Sequence, residues 1–460
     1  MISRRLFLQN GIKSVAAANL IGTTMSSGTA LRDHVPALKG EARQVVVPTH
    51  EHFGDIEERL DFPANWEVTV QPMAGHDAPL LGANEILSCL RKPIGTRQLR
   101  DIAAGKKSAV ITFDDLTRPT PTYTVAPVVI DELLAAGVPE DRIIFVGSYG
   151  THRNLEQDEV VRKLGAELLR RFAWVNHNTF DNLKEVGTTA HGNLVKINRT
   201  FAAADLRVVI SGVKAHVFAG YGGGAKAILP GVAGFDTVAY NHEVVMKRLT
   251  RPPAGVISMW KNEVRLDMDE AARLANVDFS VQILYNGKRQ ATHVFAGDII
   301  DAHRAACRVA VKHYQTSPVP NPDIVICNTY PQSTQGGRYK WAATVREGGT
   351  FLLILQHPQG LSAMHYLEAH QSGKNGRTYL DAIAVPRQPL PGNVQVIVYS
   401  QYMDKRQLLK FPANTVVAST WEDAIKQLQA RHKGDARVAV YPYAAIQHME
   451  TRLDEPDAQA

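Results

Sequence analysis

Cysteine is scarce. Cys89, Cys307 and Cys327 are the whole supply in 460 residues, and they are odd in number, far apart and free of any Cys-x-x-Cys pair. A disulfide framework and a cysteine-rich zinc site are therefore not expected. No run of about 18 apolar residues occurs, so no membrane-spanning helix is expected. No Lys/Arg run with interleaved aromatics is found, and the charge excess is mild. The net charge is +6, of which Arg4, Arg5 and Lys13 supply three in a first thirty residues without one acidic side chain, which leaves +3 for the remainder. Nucleic acid is not an expected partner. Internal repeats and low-complexity tracts are missing too.

What is present reads as an ordinary globular chain, with 45% hydrophobic and 21% charged residues. Its length favours two domains over one core. The opening "SRRLFLQN" sets Arg4-Arg5 before Leu6-Phe7-Leu8, and small residues at Gly28 and Ala30 resemble a cleavage site. Residues 1–30 thus read as a twin-arginine export signal, with the twin-arginine translocase as partner and a periplasmic or exported destination. The other reading is a frayed helix with two ordinary arginines on a cytoplasmic protein.

Strands then alternate with helices. "RQVVVP", "SAVITFDD", "RIIFVGS" and "RVVISG" read as strands, and "TRQLRDIAAG", "PVVIDELLAAG" and "QDEVVRKLGAELLRRF" as helices. This rhythm argues for an α/β fold with mostly parallel sheets covered on both faces. Asn286-Gly287, between two alternating runs, signals a hairpin. The alternation resumes at "PNPDIVICN" after a Pro-rich "SPVPNP" at 317–322. The expected architecture is two α/β lobes, residues 40–312 and 320–445, with a tail at 446–460 returning to the first. The site is expected in the cleft between them, beside the carboxyl ends of strands.

Three strand ends carry polar clusters. "FDDLTRPTP" places Asp115, Thr117 and Arg118 after one strand, and the Arg118 fork suits a carboxylate or phosphate. "VGSYGTHRN" places His152 after the next. "SGVKAHVFAGYGGGAKAILPGVAG", residues 211–234, follows a third with His216, Gly222, Gly223, Gly224 and Lys226, and His242 comes sixteen residues past the lysine. The glycines form neither a Walker A loop nor Gly-x-Gly-x-x-Gly, since Ala225 and Ala227 flank the lysine. Their backbone N–H groups could still hold a phosphate. His50 and His52 could chelate a metal, but no third ligand is in sight. His177 and His191 read as turn residues.

Asp-x-Thr-Arg-Pro, Gly-x-x-x-x-His at 147–152, His-x-x-Ala-Gly-x-x-Gly-Gly-x-Lys at 216–226, Pro230-Gly231 and His242 occur here in order. In that combination the chain resembles the lactate racemase family, nickel-pincer-dependent 2-hydroxyacid racemases and epimerases. The resemblance covers nearly everything after residue 40, including "KPIGTRQL" and "FAGD" at 295–298. It implies an isomerase with a nickel-pincer nucleotide, a pyridinium-3-thioamide-5-thiocarboxylic acid mononucleotide holding nickel, attached to Lys226 and made by dedicated biosynthesis enzymes. It further implies His242 as a nickel ligand, His152 and His216 as acid/base residues, and Asp115 and the glycines at 222–224 near the cofactor. Arg118 and Lys340 become substrate-binding residues for a small 2-hydroxyacid. Sulfur donors with an imidazole suit nickel, and two histidine bases suit a reaction that must serve both enantiomers.

The chain departs from the family where a Tyr-Gln pair precedes the substrate lysine. Here Gly336 and Gly337 stand in "PQSTQGGRYK", one residue shorter, with Gln335 or Tyr339 as substitutes. Smaller residues leave room for a 2-hydroxyacid bulkier than lactate. Two other classes remain open: a pyridoxal-phosphate enzyme using Lys226, and an exported two-lobed solute-binding protein holding a carboxylate on Arg118.

Overall fold

The computed structural model describes residues 43–250, 252–333, 339–361, 365–367, 370, 390–403 and 407–456. The expected export signal at 1–30, and Gln335, Gly336 and Gly337, lie outside the described residues. Among those described, no helix is long and apolar enough to cross a membrane.

The strands, in chain order, are β1 (Arg43–Thr49), β2 (Ile56–Phe62), β3 (Glu67–Val70), β4 (Ala109–Phe113), β5 (Ile143–Gly147), β6 (Ala173–Val175), β7 (Leu183–Thr188), β8 (Leu194–Asn198), β9 (Leu206–Gly212), β10 (Ala215–His216), β11 (Gly220–Tyr221), β12 (Val256–Ile257), β13 (Phe279–Tyr285), β14 (Ala291–Gly297), β15 (Ile324–Asn328), β16 (Thr350–Ile354), β17 (Gln395–Tyr399), β18 (Val416–Ala418), β19 (Arg437–Tyr441) and β20 (Arg452–Leu453). Two six-stranded sheets dominate. The first has the order β14-β13-β9-β4-β5-β6 and the second β18-β17-β16-β15-β19-β3. Every pairing within them is parallel except β13 with β14. The fold is α/β with mostly parallel sheets.

The strand sequences are apolar on both faces because both faces are covered. In β4, Ile111 and Phe113 enter one core while Val110 enters the other. In β15, Ile324 and Ile326 face one core, and Val325 and Cys327 the opposite one. Helices such as Thr122–Ala135, Glu263–Leu274 and Asp301–His313 supply the covering layers.

Three expectations need amending. Residues 43–70, expected in the lobe at 40–312, do not join the first sheet. Instead β3 pairs with β19 in the second sheet, and the β1–β2 hairpin buries Val47, Leu60 and Phe62, followed by Trp66, in the core of that sheet. A strand that pairs with a distant segment leaves no local mark in sequence. The "QDEVVRKLGAELLRRF" helix is broken at Gly165, whose φ of 82° no helix accepts. The hairpin at Asn286-Gly287 forms, but Arg289 takes the positive φ, 59°, and the Asn286 carboxamide oxygen accepts from the backbone N–H of Lys288 and Gln290, 3.0 Å each. The C-terminal segment runs back to pair β20 with β12. There Asp454 accepts from Ser258 Oγ and from the amides of Met259, Trp260 and Lys261.

Candidate active site

The loop after β4 is organised by its own acids. Asp115 Oδ1 accepts from the Thr117 amide (2.9 Å) and hydroxyl (2.5 Å), which folds the chain back on itself. Arg118 Nη1 donates to Thr117 Oγ1 at 2.6 Å. Asp114 pairs with Lys163 at 2.6 Å, and the fully buried Lys163 also donates to the carbonyls of Arg118 and Thr120. Sequence reasoning missed Lys163. It sits in the last turn of the helix Gln157–Leu164 among charged residues, and only the packing reveals its target.

The loop after β5 brings in His152. Gly150 has φ 60°, and a Cβ there would meet Pro230 at 3.0 Å, so only glycine permits the turn. His152 Nδ1 lies 2.6 Å from Asp115 Oδ2. Burial pushes the Asp115 carboxyl up, but the charge and hydrogen bond of His152, with Arg118 and Thr117, outweigh it and hold it well below the usual range. A buried carboxylate on Nδ1 fixes the ring and leaves Nε2 as the basic nitrogen of neutral His152.

The loop after β9 brings in Lys214, His216 and Lys226. His216 closes the β10–β11 turn, and its Nδ1 accepts from the amides of Phe218 (3.2 Å) and Ala219 (3.3 Å). Neutral His216 therefore carries its proton on Nε2. Burial, then the charges of Lys226, Lys214, Arg118 and His242, hold its pKa well below the ordinary value. Buried Arg265 organises this loop, donating to the carbonyls of Ala219, Tyr221 and Gly223. Burial, then Arg265 and Arg118, hold Lys226 well below the usual lysine pKa, which favours the neutral, nucleophilic amine.

The glycines act differently from expectation. Gly222 N–H donates to Lys214 O (2.7 Å) and Gly224 N–H to Gln282 Oε1 (2.8 Å), so these two are engaged by the protein rather than offered to a phosphate. Gly222 and Gly223 line the pocket. Gly224, at φ 58°, instead packs against His303, where a Cβ would sit 2.6 Å from the ring.

One pocket is lined by Asp115, Arg118, His152, Lys214, His216, Gly222, Gly223 and Lys226, with Asp114, Thr120, Ser148, Tyr149 and His365 among the others. His242, Gly224 and Lys340 are not among its lining residues. His242 stands behind Lys226 on the helix Phe235–Glu243. Its Nδ1 lies 3.1 Å from Val238 O, which as donor leaves Nε2 unprotonated. Burial, then Lys226, push its pKa down to about 4. Lys340 is exposed, and its Nζ donates to Gln447 O. His365 was not singled out in the sequence. Its ring lies 4.9 Å from that of His152, its Nδ1 is 3.2 Å from Thr151 Oγ1, and burial, then His152, push it to about 3. Among the described residues no group of three His, Cys, Asp or Glu side chains could hold a metal. The chelating possibility at His50 and His52 falls away: His50 binds Thr49 and Tyr402, and His52 faces Arg289. His177 and His191 engage Ala233 O and Glu263, respectively.

Comparison with known proteins gives a consistent result. A family model described as the lactate racemase N-terminal domain matches residues 53–251. The lactate racemase of Lactiplantibacillus plantarum is 28% identical over 375 residues, covering 77% of this chain and 87% of that protein. The lactate racemase of Thermoanaerobacterium thermosaccharolyticum is 29% identical over 304 residues, covering 64% and 70%. Among solved structures, the lactate racemase apoprotein of T. thermosaccharolyticum superposes with a TM-score of 0.64 at 23% identity, over 89% of this chain and all of that one. A Thermotoga maritima protein superposes at 0.57 and 18% identity, over 81% and 99%. These two share the fold.

Proposed function

We propose that the chain is a 2-hydroxyacid racemase of the lactate racemase family, and that it works through a nickel-pincer nucleotide tethered to Lys226. The observation that carries the proposal is the pocket itself. It gathers His152, with Nδ1 against a carboxylate, and His216, with Nδ1 accepting backbone amides, beside a lysine whose pKa burial holds well below its usual value. The residues fit the group: Lys226 offers a nucleophilic amine for a thioamide, Gly222 and Gly223 allow close approach, and His242 keeps Nε2 open for nickel.

When bound, the group supplies a hydride acceptor, so that the substrate passes through a 2-keto acid. The protein does the rest. Arg118 holds the substrate carboxylate with its planar fork. His152, oriented by Asp115, accepts the hydroxyl proton at Nε2. His216 is the second acid/base group: it returns the proton as an imidazolium when the hydroxyl is restored, and it serves as base for the other enantiomer once its own proton has moved from Nε2 to Nδ1. The pyridoxal-phosphate and solute-binding readings leave this paired arrangement without a use.

The test is mass spectrometry of protein produced with the cofactor-building enzymes. The peptide containing Lys226 should carry added mass. His242→Ala should lose bound nickel by elemental analysis while retaining the adduct. Unmodified Lys226 in active enzyme would sink the tether.

A further inference from the structure

The proton transfers and the tether leave one pocket cation unused. Lys214 is buried, follows β9 and lines the same pocket as Arg118. Its Nζ donates to Gln332 Oε1 at 2.5 Å. Gln332, also buried, donates from Nε2 to Thr117 O at 2.6 Å. The same carbonyl accepts from Arg118 Nη1 at 3.2 Å. One carbonyl and one carboxamide therefore link a guanidinium to an ammonium, and the spacing of the two cations is fixed by hydrogen bonds.

Gln332 is itself anchored. The next residue, Ser333, donates from its amide and, at 3.0 Å, from its hydroxyl to the two carboxyl oxygens of buried Glu51. Two residues earlier, Tyr330 is held by Asp55 and Arg289 at 3.1 Å each. Ordering a lysine this thoroughly removes side-chain freedom before a ligand arrives, which raises affinity for whatever the ammonium meets. A substrate oxyanion would add a charge-assisted contact to those that Lys214 already makes. Lys340, by contrast, is exposed and bound to Gln447 O.

We propose that Lys214, oriented by Gln332, binds a second oxyanion at the far end of the substrate. The preferred substrates are then 2-hydroxyacids with a distal anionic group, a four-carbon dicarboxylate being the simplest. This rests on the racemase reading for the role of Arg118 at the first carboxylate. A phosphate on the bound mononucleotide offers the same chemistry, and the test separates the two sources.

Calorimetric titration of cofactor-loaded protein with a four-carbon 2-hydroxydicarboxylate and with lactate gives a ratio of Kd values. A charge-assisted contact predicts a ratio of roughly 10 or more for wild type, falling towards one in Lys214→Met. Gln332→Glu keeps Lys214 but places a carboxylate against it, and should abolish the preference equally. The Lys226 adduct should keep its mass and occupancy in both variants. Equal affinity for the two ligands in wild type overturns the proposal, as does an equal loss for both ligands in Lys214→Met. Loss of the adduct in Lys214→Met assigns the lysine to the mononucleotide phosphate and also overturns it. If neither acid is racemised while the Kd ratio stands, the racemase reading fails and the second oxyanion site survives.

Discussion

His152 and His216 present opposite faces of the same chemistry. One has its Nδ1 against a carboxylate, and the other has its Nδ1 accepting two backbone amides. A completed turnover needs one base and one acid, so His152→Ala and His216→Ala should each reduce racemisation in both directions, by about 10²- to 10⁴-fold. One variant should still consume a single enantiomer, seen as an absorbance change without product. Near-wild-type racemisation by either variant refutes the pairing. Asp115 carries a pH signature. Because its pKa is depressed, its contribution to stability is complete above the unfolded value of ~3.9 and is lost as pH falls through the lower folded value. Asp115→Asn should flatten the acid side of the stability curve measured by urea unfolding below about pH 4. Parallel acid limbs in the two proteins would remove the carboxylate from this account.

At the scale of the element, residues 211–234 form a loop whose glycines are there for packing. Gly224 combines a left-handed φ with a wall made by His303, and Gly231 leaves no room for a Cβ between Ala227 O and Ser148 Oγ, each at 2.1 Å. Gly224→Ala should cost on the order of 2–3 kcal/mol, combining backbone strain with the clash. The shift would appear in the chemical denaturation midpoint, together with poor loading of Lys226. Gly137, with open space around it, is the control: there only the backbone strain should register. Equal effects at the two positions would mean that His303 yields and the loop is not tightly packed.

For the whole molecule, the long-range pairing of β3 with β19 matters most. A fragment beginning at the Pro-rich 317–322 segment would lack Val47, Leu60, Phe62 and Trp66 from the core of its sheet. At roughly 1.5–3 kcal/mol per large buried side chain, the loss is on the order of 10 kcal/mol, comparable to the stability of a domain. The fragment should therefore bind a hydrophobic dye and melt without cooperativity. Fusing residues 43–75 to it should restore a sharp transition. A sharp transition in the fragment alone would show that the second sheet folds without its N-terminal segment.

The sequence by itself determined the strand–helix alternation, the mostly parallel sheets and the strand ends that carry Asp115, Arg118, His152, His216 and Lys226. All of these follow from local periodicity and from residue types placed just past apolar runs. The family pattern added roles for the same positions. Tertiary structure alone decided that β3 crosses to the second sheet, that Lys163 and Arg265 brace the loops from within helices, and that His365 lies against His152. It also decided that two glycine amides point into the protein and that Lys214, rather than Lys340, lines the pocket. Each of these depends on contacts between segments far apart in the chain, where packing and burial, not neighbouring residues, choose the partner.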